Sequence, residues 1–404
     1  MIKRTLQELC LNITDGKHGD CENEENSGYY FISCKDIFDG QINYKNARQI
    51  TKADFEETHK RTMLEVDDIL LTNSGTIGRM AFVTDREATT KTTFQKSVAI
   101  IKPDKQKVLP RYLYYQLQNC VPQFINSSNG SAQKNLLLST MRTFQIEIEE
   151  NREKQEKIAN TLSAYDDLIE NNQKQIKLLE EAAQRLYKEW FVDLRFPEHE
   201  NTKIVDGVPE GWRVASIADI CDTVGGGTPS TKIQSYYEKG DILWVTPTDI
   251  TRNFSLALLD TEKKITPEGL KNSSAKMLPA ETILMTSRAS VGFFGMCKYE
   301  VCTNQGFISC IPKRENLQMY LLFNLKSRVE EIRQKAGGST YLEISKTVFR
   351  ELKIILPKDE VLAEYQKNVH DIFDEIYCRT EMIKSLVDMR NRLLPKLMSG
   401  EVEV

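Results

Sequence analysis

The sequence predicts an α+β protein: two pseudo-repeated α/β domains separated by two long antiparallel coiled-coil helices. Three observations carry this. A chain of 404 residues is too long for one ordinary core. The motifs of its first half recur in the same order in its second half. Each half ends in a long run of heptad-spaced apolar residues. The expected layout is a first domain over residues 1–149, a central helix over 150–195, a second domain over 196–356 and a distal helix over 357–404.

The repeat is legible residue by residue. Ile69-Leu70-Leu71-Thr72 is answered by Ile283-Leu284-Met285-Thr286, and each run continues into a small-residue loop closed by glycine, NSGTIG to Gly78 and SRASVG to Gly292. Phe31 through Asp36-Ile37 matches Trp244 through Asp249-Ile250, Gln95 matches Gln305, and Asn129-Gly130-Ser131 matches Gly337-Gly338-Ser339. Strand-like runs at Phe144–Ile148 and Leu352–Leu356 close the copies. Within them, Tyr29–Ser33, Val98–Ile101, Ile242–Thr246 and Phe307–Ile311 read as strands, and Arg111–Gln118 and Met319–Arg333 as helices. Such a mixture of short strands, helices and Gly, Ser, Thr and Asn-rich loops suits an α+β domain with a twisted sheet.

In the central helix, apolar residues recur at Ile158, Leu162, Tyr165, Ile169, Ile176, Leu179, Ala183, Leu186 and Trp190, with Asn172 filling the gap. The distal series is Tyr365, Val369, Ile372, Ile376, Ile383, Leu386, Leu393 and Leu397, with Arg379 and Arg390 between. The two series superimpose at an offset of 207 residues. A period near 3.5 sustained this long marks a coiled-coil seam, and a polar residue within a seam gives up stability for register. Antiparallel pairing would therefore bring Asn172 and Arg379 together near the crossing. From Ile158 to Trp190 the helix rises roughly 48 Å.

Composition narrows the function classes. Hydrophobic residues make up 40% and charged residues 28%, as in folded proteins. No apolar run reaches the roughly 18 residues of a membrane span, and Gln7 and Glu8 interrupt any signal core; the cytoplasm is the expected location. The nine cysteines include no C-x-x-C pair and read as small buried hydrophobes, and the four histidines are too dispersed for a zinc site. Lys and Arg total 54 against 58 Asp and Glu, a net charge of −4, so a nucleic-acid partner would have to be met by local patches or by partner subunits.

Catalytic signatures are missing from the sequence. There is no Pro-Pro for an adenine methyltransferase loop and no phosphate-binding G-x-x-x-x-G-K-[ST], and Gly225-Gly226-Gly227 lacks the spacing of a nucleotide cradle. Pro103-Asp104-Lys105 and Pro357-Lys358-Asp359 are only fragments of a nuclease motif, and the adjacent acids Asp67-Asp68 and Asp166-Asp167 are expected to point apart toward solvent.

Candidate binding groups cluster in the matched loops. Amides and guanidinium groups suit base edges, while Lys, Ser, Thr and backbone N–H suit phosphates. In the first copy these are Lys17, His18, Lys35, Asn73, Ser74, Thr76, Gln95, Lys96 and Lys134. In the second they are Thr228, Ser230, Lys232, Thr248, Arg252, Ser287, Arg288, Ser290, Asn304, Gln305, Ser339, Tyr341 and Lys346. Several differ between copies, Ser74 against Arg288 and Lys17 against Thr228, as two readers of unlike sequences would.

The segments VPEGWRVASIADICDTVGGGTPS, ILWVTPTDI, RLYKEWFVDLRFP and RNRLLPKLMSGEV resemble the recurring signatures of type I restriction–modification specificity subunits, over essentially the whole chain. The first copy departs from them in lacking the PEGW lead and in carrying DGKH where the second has GGTP. The resemblance implies two target recognition domains, each reading one half of a split double-stranded DNA site, with helices acting as a ruler that also binds two methyltransferase subunits. It implies no cofactor in this chain: S-adenosylmethionine, ATP and Mg would belong to the methyltransferase and to the motor–nuclease subunits. The competing reading is a duplicated, non-enzymatic protein-binding adaptor with a coiled-coil spacer, which the acidic balance favours.

Overall fold

A computed structural model describes residues 1–38, 40–128, 134–338 and 341–403. It divides into two compact units, Met1–Asp167 with Val387–Val404, and Leu168–Leu386.

In the first unit, β1 (Ile2–Thr5) pairs antiparallel with β8 (Gln145–Ile148), so the start and end of the globular copy are tied together. The main sheet runs β2 (Cys10–Asp15), β7 (Val98–Pro103), β4 (Ile69–Thr72), β5 (Met80–Phe82), all antiparallel. Ile69, Leu70 and Leu71 are fully buried because both faces of β4 are covered, which explains an unbroken apolar run where a half-exposed strand would alternate. Beside it, β3 (Tyr30–Ile32) pairs parallel with β6 (Thr92–Phe94), against which α1 (Lys52–Thr62) packs. Thr51 caps α1 by accepting from Asp54 N. Helix α2 (Pro110–Asn119) starts with proline at its first turn and buries Tyr112, Leu113 and Tyr115.

The second unit repeats this plan. β9 (Arg213–Ser216) pairs with β16 (Lys353–Leu356); the main sheet runs β10 (Cys221–Val224), β15 (Phe307–Pro312), β12 (Ile283–Thr286), β13 (Phe294–Gly295); and β11 (Ile242–Val245) lies parallel to β14 (Cys302–Thr303). Strand order and sense match the first unit pair by pair. The expected single helix over 319–333 is broken: α4 (Gln318–Ser327) stops at Arg328, whose guanidinium bonds Glu331 and the carbonyl of Lys353, and a short helix restarts at Val329.

Each long helix contributes to both units. In the first unit, Ile158 and Leu162 of α3 (Arg152–Tyr187) join Leu397 and Met398 of α5 (Asp359–Ser399) in one hydrophobic cluster with Leu6, Tyr112 and Ile146. In the second, Arg379 Nη1 donates to Asn172 Oδ1 at 3.1 Å, and Tyr365 lies against Ala183, so the pairing there is antiparallel. The two polar seam residues meet as expected, and their separation equals the heptad offset of 207. Ile169, Ile176, Val369, Ile376 and Ile383 are buried; Leu179 and Leu386 are partly exposed. At two places burial shifts by one position, to Tyr187 instead of Leu186 and to Phe373 instead of Ile372. A helix of 3.6 residues per turn drifts off a strict 3.5 repeat, and the residue nearest the partner changes accordingly.

The acid pairs do not simply face solvent. Asp68 is buried with Lys102 Nζ at 2.8 Å, and burial pushes its carboxyl up to about 6 against the pull of that ammonium. Asp166 accepts hydrogen bonds from Tyr115 at 2.5 Å and from Arg390. Among the described residues no helix is long and apolar enough to cross a membrane, and all nine cysteines are free thiols.

Candidate nucleic-acid interface

In each copy, three loops converge at the end of the main sheet. The first follows β2 or β10. In the second unit Gly226 presses so closely on the Thr303 carbonyl that a Cβ would sit 2.0 Å from its oxygen; Gly16 does the same to Phe94 at 1.9 Å. Beyond these glycines, Lys17 N donates to Phe94 O at 2.8 Å and Gly227 N to Thr303 O at 2.9 Å. The counterpart of Lys17 is thus Gly227, and Thr228 matches His18, which corrects the sequence pairing of Lys17 with Thr228. Gly226→Ala is expected to cost about 1–3 kcal/mol through overpacking, read as a lower thermal midpoint.

The second loop precedes β7 or β15. Gln95 N bonds Ile32 O at 2.8 Å, and Asn304 N bonds Val245 O at 3.0 Å. By this register Gln95 corresponds to Asn304, and Lys96 to Gln305; the matched glutamines of the sequence are one residue out of step. Thr228 Oγ1 donates to Gln305 Oε1 at 2.5 Å, joining the first and second loops.

The third is the small-residue loop. Thr72 and Thr286 build it identically, each hydroxyl donating to the carbonyl four residues on (Thr76, Ser290) and accepting the N–H seven residues on, from Arg79 at 2.9 Å and Phe293 at 3.0 Å. Ser74 bridges to Asn135 and Arg288 to Glu343, and the Arg288 guanidinium lies 3.6 Å from the Glu343 carboxylate. Asn73 and Ser287 are buried. Asn73 N bonds Ser97 O and Ser287 N bonds Gly306 O, which ties the third loop to the second in both copies.

The remaining candidates distribute around these loops. Lys35 follows Cys34, whose Sγ lies beside Gly75, and Lys134 precedes Asn135. Lys346 reaches Gly225, where an added Cβ would meet its Nζ at 2.4 Å. Thr76, Lys96, Ser230, Lys232, Ser290 and Tyr341 are exposed. Thr248 and Arg252 line a cavity of about 370 Å³ with Thr380, Ile383 and Lys384 of α5. Ser339, with Asn129-Gly130-Ser131, lies outside the described residues. Lys17 is turned inward: its ammonium sits 3.0 Å from Asp54 and 3.3 Å from Glu57 and is only 21% exposed. The Asp54 carboxylate raises the Lys17 pKa; Asp54 itself is held low first by the Glu22 backbone N–H, then by Lys17. A phosphate contact by Lys17 would have to break this pairing.

Away from the loops, His370 stands between Glu281 at 3.1 Å and Asp374 at 3.4 Å, the one grouping of metal-type ligands among the described residues. Lys298 already pairs with Asp374 at 2.5 Å, which meets part of the negative charge a cation would need.

The duplicated geometry has a counterpart among known families. The model of the type I restriction modification DNA specificity domain matches twice, over residues 3–181 and 209–387. The chain belongs to this family. Each match spans one globular copy and much of the helix that follows it. A specificity subunit of the type I restriction enzyme MjaIX of Methanocaldococcus jannaschii is 38% identical over 42% of this chain and 39% of that protein. The HindI specificity subunit of Haemophilus influenzae is 26% identical over 75% of this chain and 80% of its own length. The crystal structure of a type I system S subunit from M. genitalium shares the fold, with a TM-score of 0.56 at 15% identity, covering 98% of this chain and 95% of the other. In a specificity domain of this kind the three-loop cluster is the surface on which the two copies share backbone and differ in side chains.

Arg61 bonds the Asp15 carboxylate at the end of β2 and is not marked by the repeat. It lies on α1, an 11-residue helix with no equivalent of that length in the second copy, so the repeat gave no hint of it. The 54, 57, 61 spacing of charged residues along one helix face was the available signal.

Proposed function

We propose that this chain is the DNA-reading subunit of a type I restriction–modification complex, each recognition domain reading one half of a split double-stranded site. The observation that carries the reading is the double family match on two copies of one topology whose loop tips differ: Asp15, Lys17 and Ser74 stand where the second copy has Gly225, Gly227 and Arg288. A shared scaffold with unlike tips is what two different half-sites require.

The paired helices set the distance between the half-sites and hold two methyltransferase subunits, which use S-adenosylmethionine to methylate adenine. Motor–nuclease subunits, with ATP and Mg²⁺, complete the restriction complex. This chain supplies recognition and no chemistry, and works in the cytoplasm. A net charge of −4 fits that division of labour, because much of the phosphate neutralisation falls to the partners.

Methylation-sensitive sequencing of DNA from cells expressing the chain with its methyltransferase subunit is expected to return one motif in two parts separated by an unread spacer. Methylation without sequence preference, or an undivided motif, would overturn the proposal and favour the adaptor reading.

A further inference from the structure

We propose that Arg61, held in place by the buried carboxylate of Asp15, reads a guanine in the half-site of the first recognition domain. The inference rests on the DNA-reading function above and adds to it a residue and a base.

One face of α1 lines the loop that follows β2. Asp54, Glu57 and Arg61, spaced by three and four residues, project from it toward Asp15–Glu22. The pairing is crossed. Asp54 and Glu57 take Lys17, while Arg61 Nη2 donates to Asp15 Oδ1 at 2.5 Å. The second Asp15 oxygen, Oδ2, accepts from His18 Nε2 at 3.0 Å. Asp15 is therefore a buried carboxylate, its side chain 7% exposed, with both oxygens committed to side chains on the surface. A carboxylate in the interior is costly unless donors such as these meet its oxygens.

The consequence for Arg61 is orientation without burial. Its side chain remains 50% exposed, and Nη1 and Nε have no partner among the described residues. A guanidinium gripped at one corner by a fixed carboxylate presents its remaining donors as a rigid fork, and such a fork matches the O6 and N7 acceptors of guanine. Phosphate collection is a poor fit here. Asp15, Asp54 and Glu57 outnumber Lys17 and Arg61, so the patch offers directed hydrogen bonds more than positive potential.

The location agrees. Asp15 ends β2 immediately before Gly16, whose contact with Phe94 joins the first loop to the second beside Gln95. Gly225 stands at the position of Asp15 in the second copy, so this device belongs to one reader alone.

The test is methylation-sensitive sequencing with the full chain and its methyltransferase subunit, comparing wild type with Arg61→Lys, Arg61→Ala and Asp15→Asn. Arg61→Lys keeps the ion pair but loses the fork, and its thermal midpoint should stay within a few degrees of wild type. Its expected effect is a loss of about ten- to a hundredfold in preference at one guanine, with the other half-site and the spacer unchanged. Asp15→Asn should relax the same position to a lesser degree. An unchanged motif in both Arg61 variants would reduce Arg61 to a fastening of α1, and a uniform fall in methylation would make it a phosphate contact; either result overturns the inference while leaving the function intact. A wild-type chain that directs no split motif removes the function, and this inference with it.

Discussion

Seven residues inserted into each long helix, between Asp167 and Leu168 and between Leu386 and Val387, should lengthen the spacer by about three base pairs and leave both half-site sequences unchanged. Two helical turns add roughly 10 Å of rise, and base pairs stack at about 3.4 Å. The insertion points avoid the recognition domains. Ile158 and Leu162 are embedded in the first unit's core, and Glu180 accepts the Leu256 backbone N–H at 2.7 Å in the second, so both ends of the central helix keep their attachments. Asn172 and Arg379 both lie inside the second unit, between the two insertion points, so their pairing is kept. Insertion into one helix alone leaves the two helices of unequal length and should sharply reduce methylation. Motif mapping by methylation-sensitive sequencing reads both outcomes, and an unchanged spacer in the double insertion would end the ruler model.

Replacing Tyr365 by alanine should destabilise the second unit by about 3–5 kcal/mol, in the range for deleting a large buried aromatic. For a unit of this size that lowers the thermal midpoint by roughly 10 °C. Tyr365 is fully buried, with ring centroids 4.8 Å from Phe191, 5.7 Å from Trp190 and 6.4 Å from Tyr187. It joins both long helices to Tyr320 of the recognition domain through Phe191, whose ring lies 4.7 Å from that of Tyr320. Tyr365→Phe keeps the ring and gives up only a 3.4 Å hydrogen bond to the Ala183 carbonyl, so it should cost less than about 1 kcal/mol. Differential scanning calorimetry separates the two variants; equal melting would show that the ring stack contributes little.

The layout of the chain was legible because duplication and periodicity are one-dimensional signals. Ile69–Thr72 and Ile283–Thr286 occupy equivalent central strands, and Asn172 and Arg379 meet as their places in the seam imply. Pairing individual loop residues was less secure. Gln95 and Gln305 looked equivalent by residue type, yet hydrogen-bond register sets Gln95 against Asn304. The loops between strands differ in length, so identity alone does not fix which residue follows which backbone contact. Asn73 and Ser287 show the same limit from another side: residue type marks them as polar, and only packing shows them buried.

What the sequence by itself determined is the plan of two like domains, two seamed helices and loop tips rich in hydrogen-bonding groups. Local spacing specifies those features, since heptads and strand runs depend on near neighbours along the chain. What the tertiary structure decided is which charges are already spent. Lys17 is neutralised by Asp54 and Glu57, and Arg61 is aimed by Asp15, across separations of 37, 40 and 46 residues. Coulomb energy and desolvation depend on distance through space, and folding sets that distance.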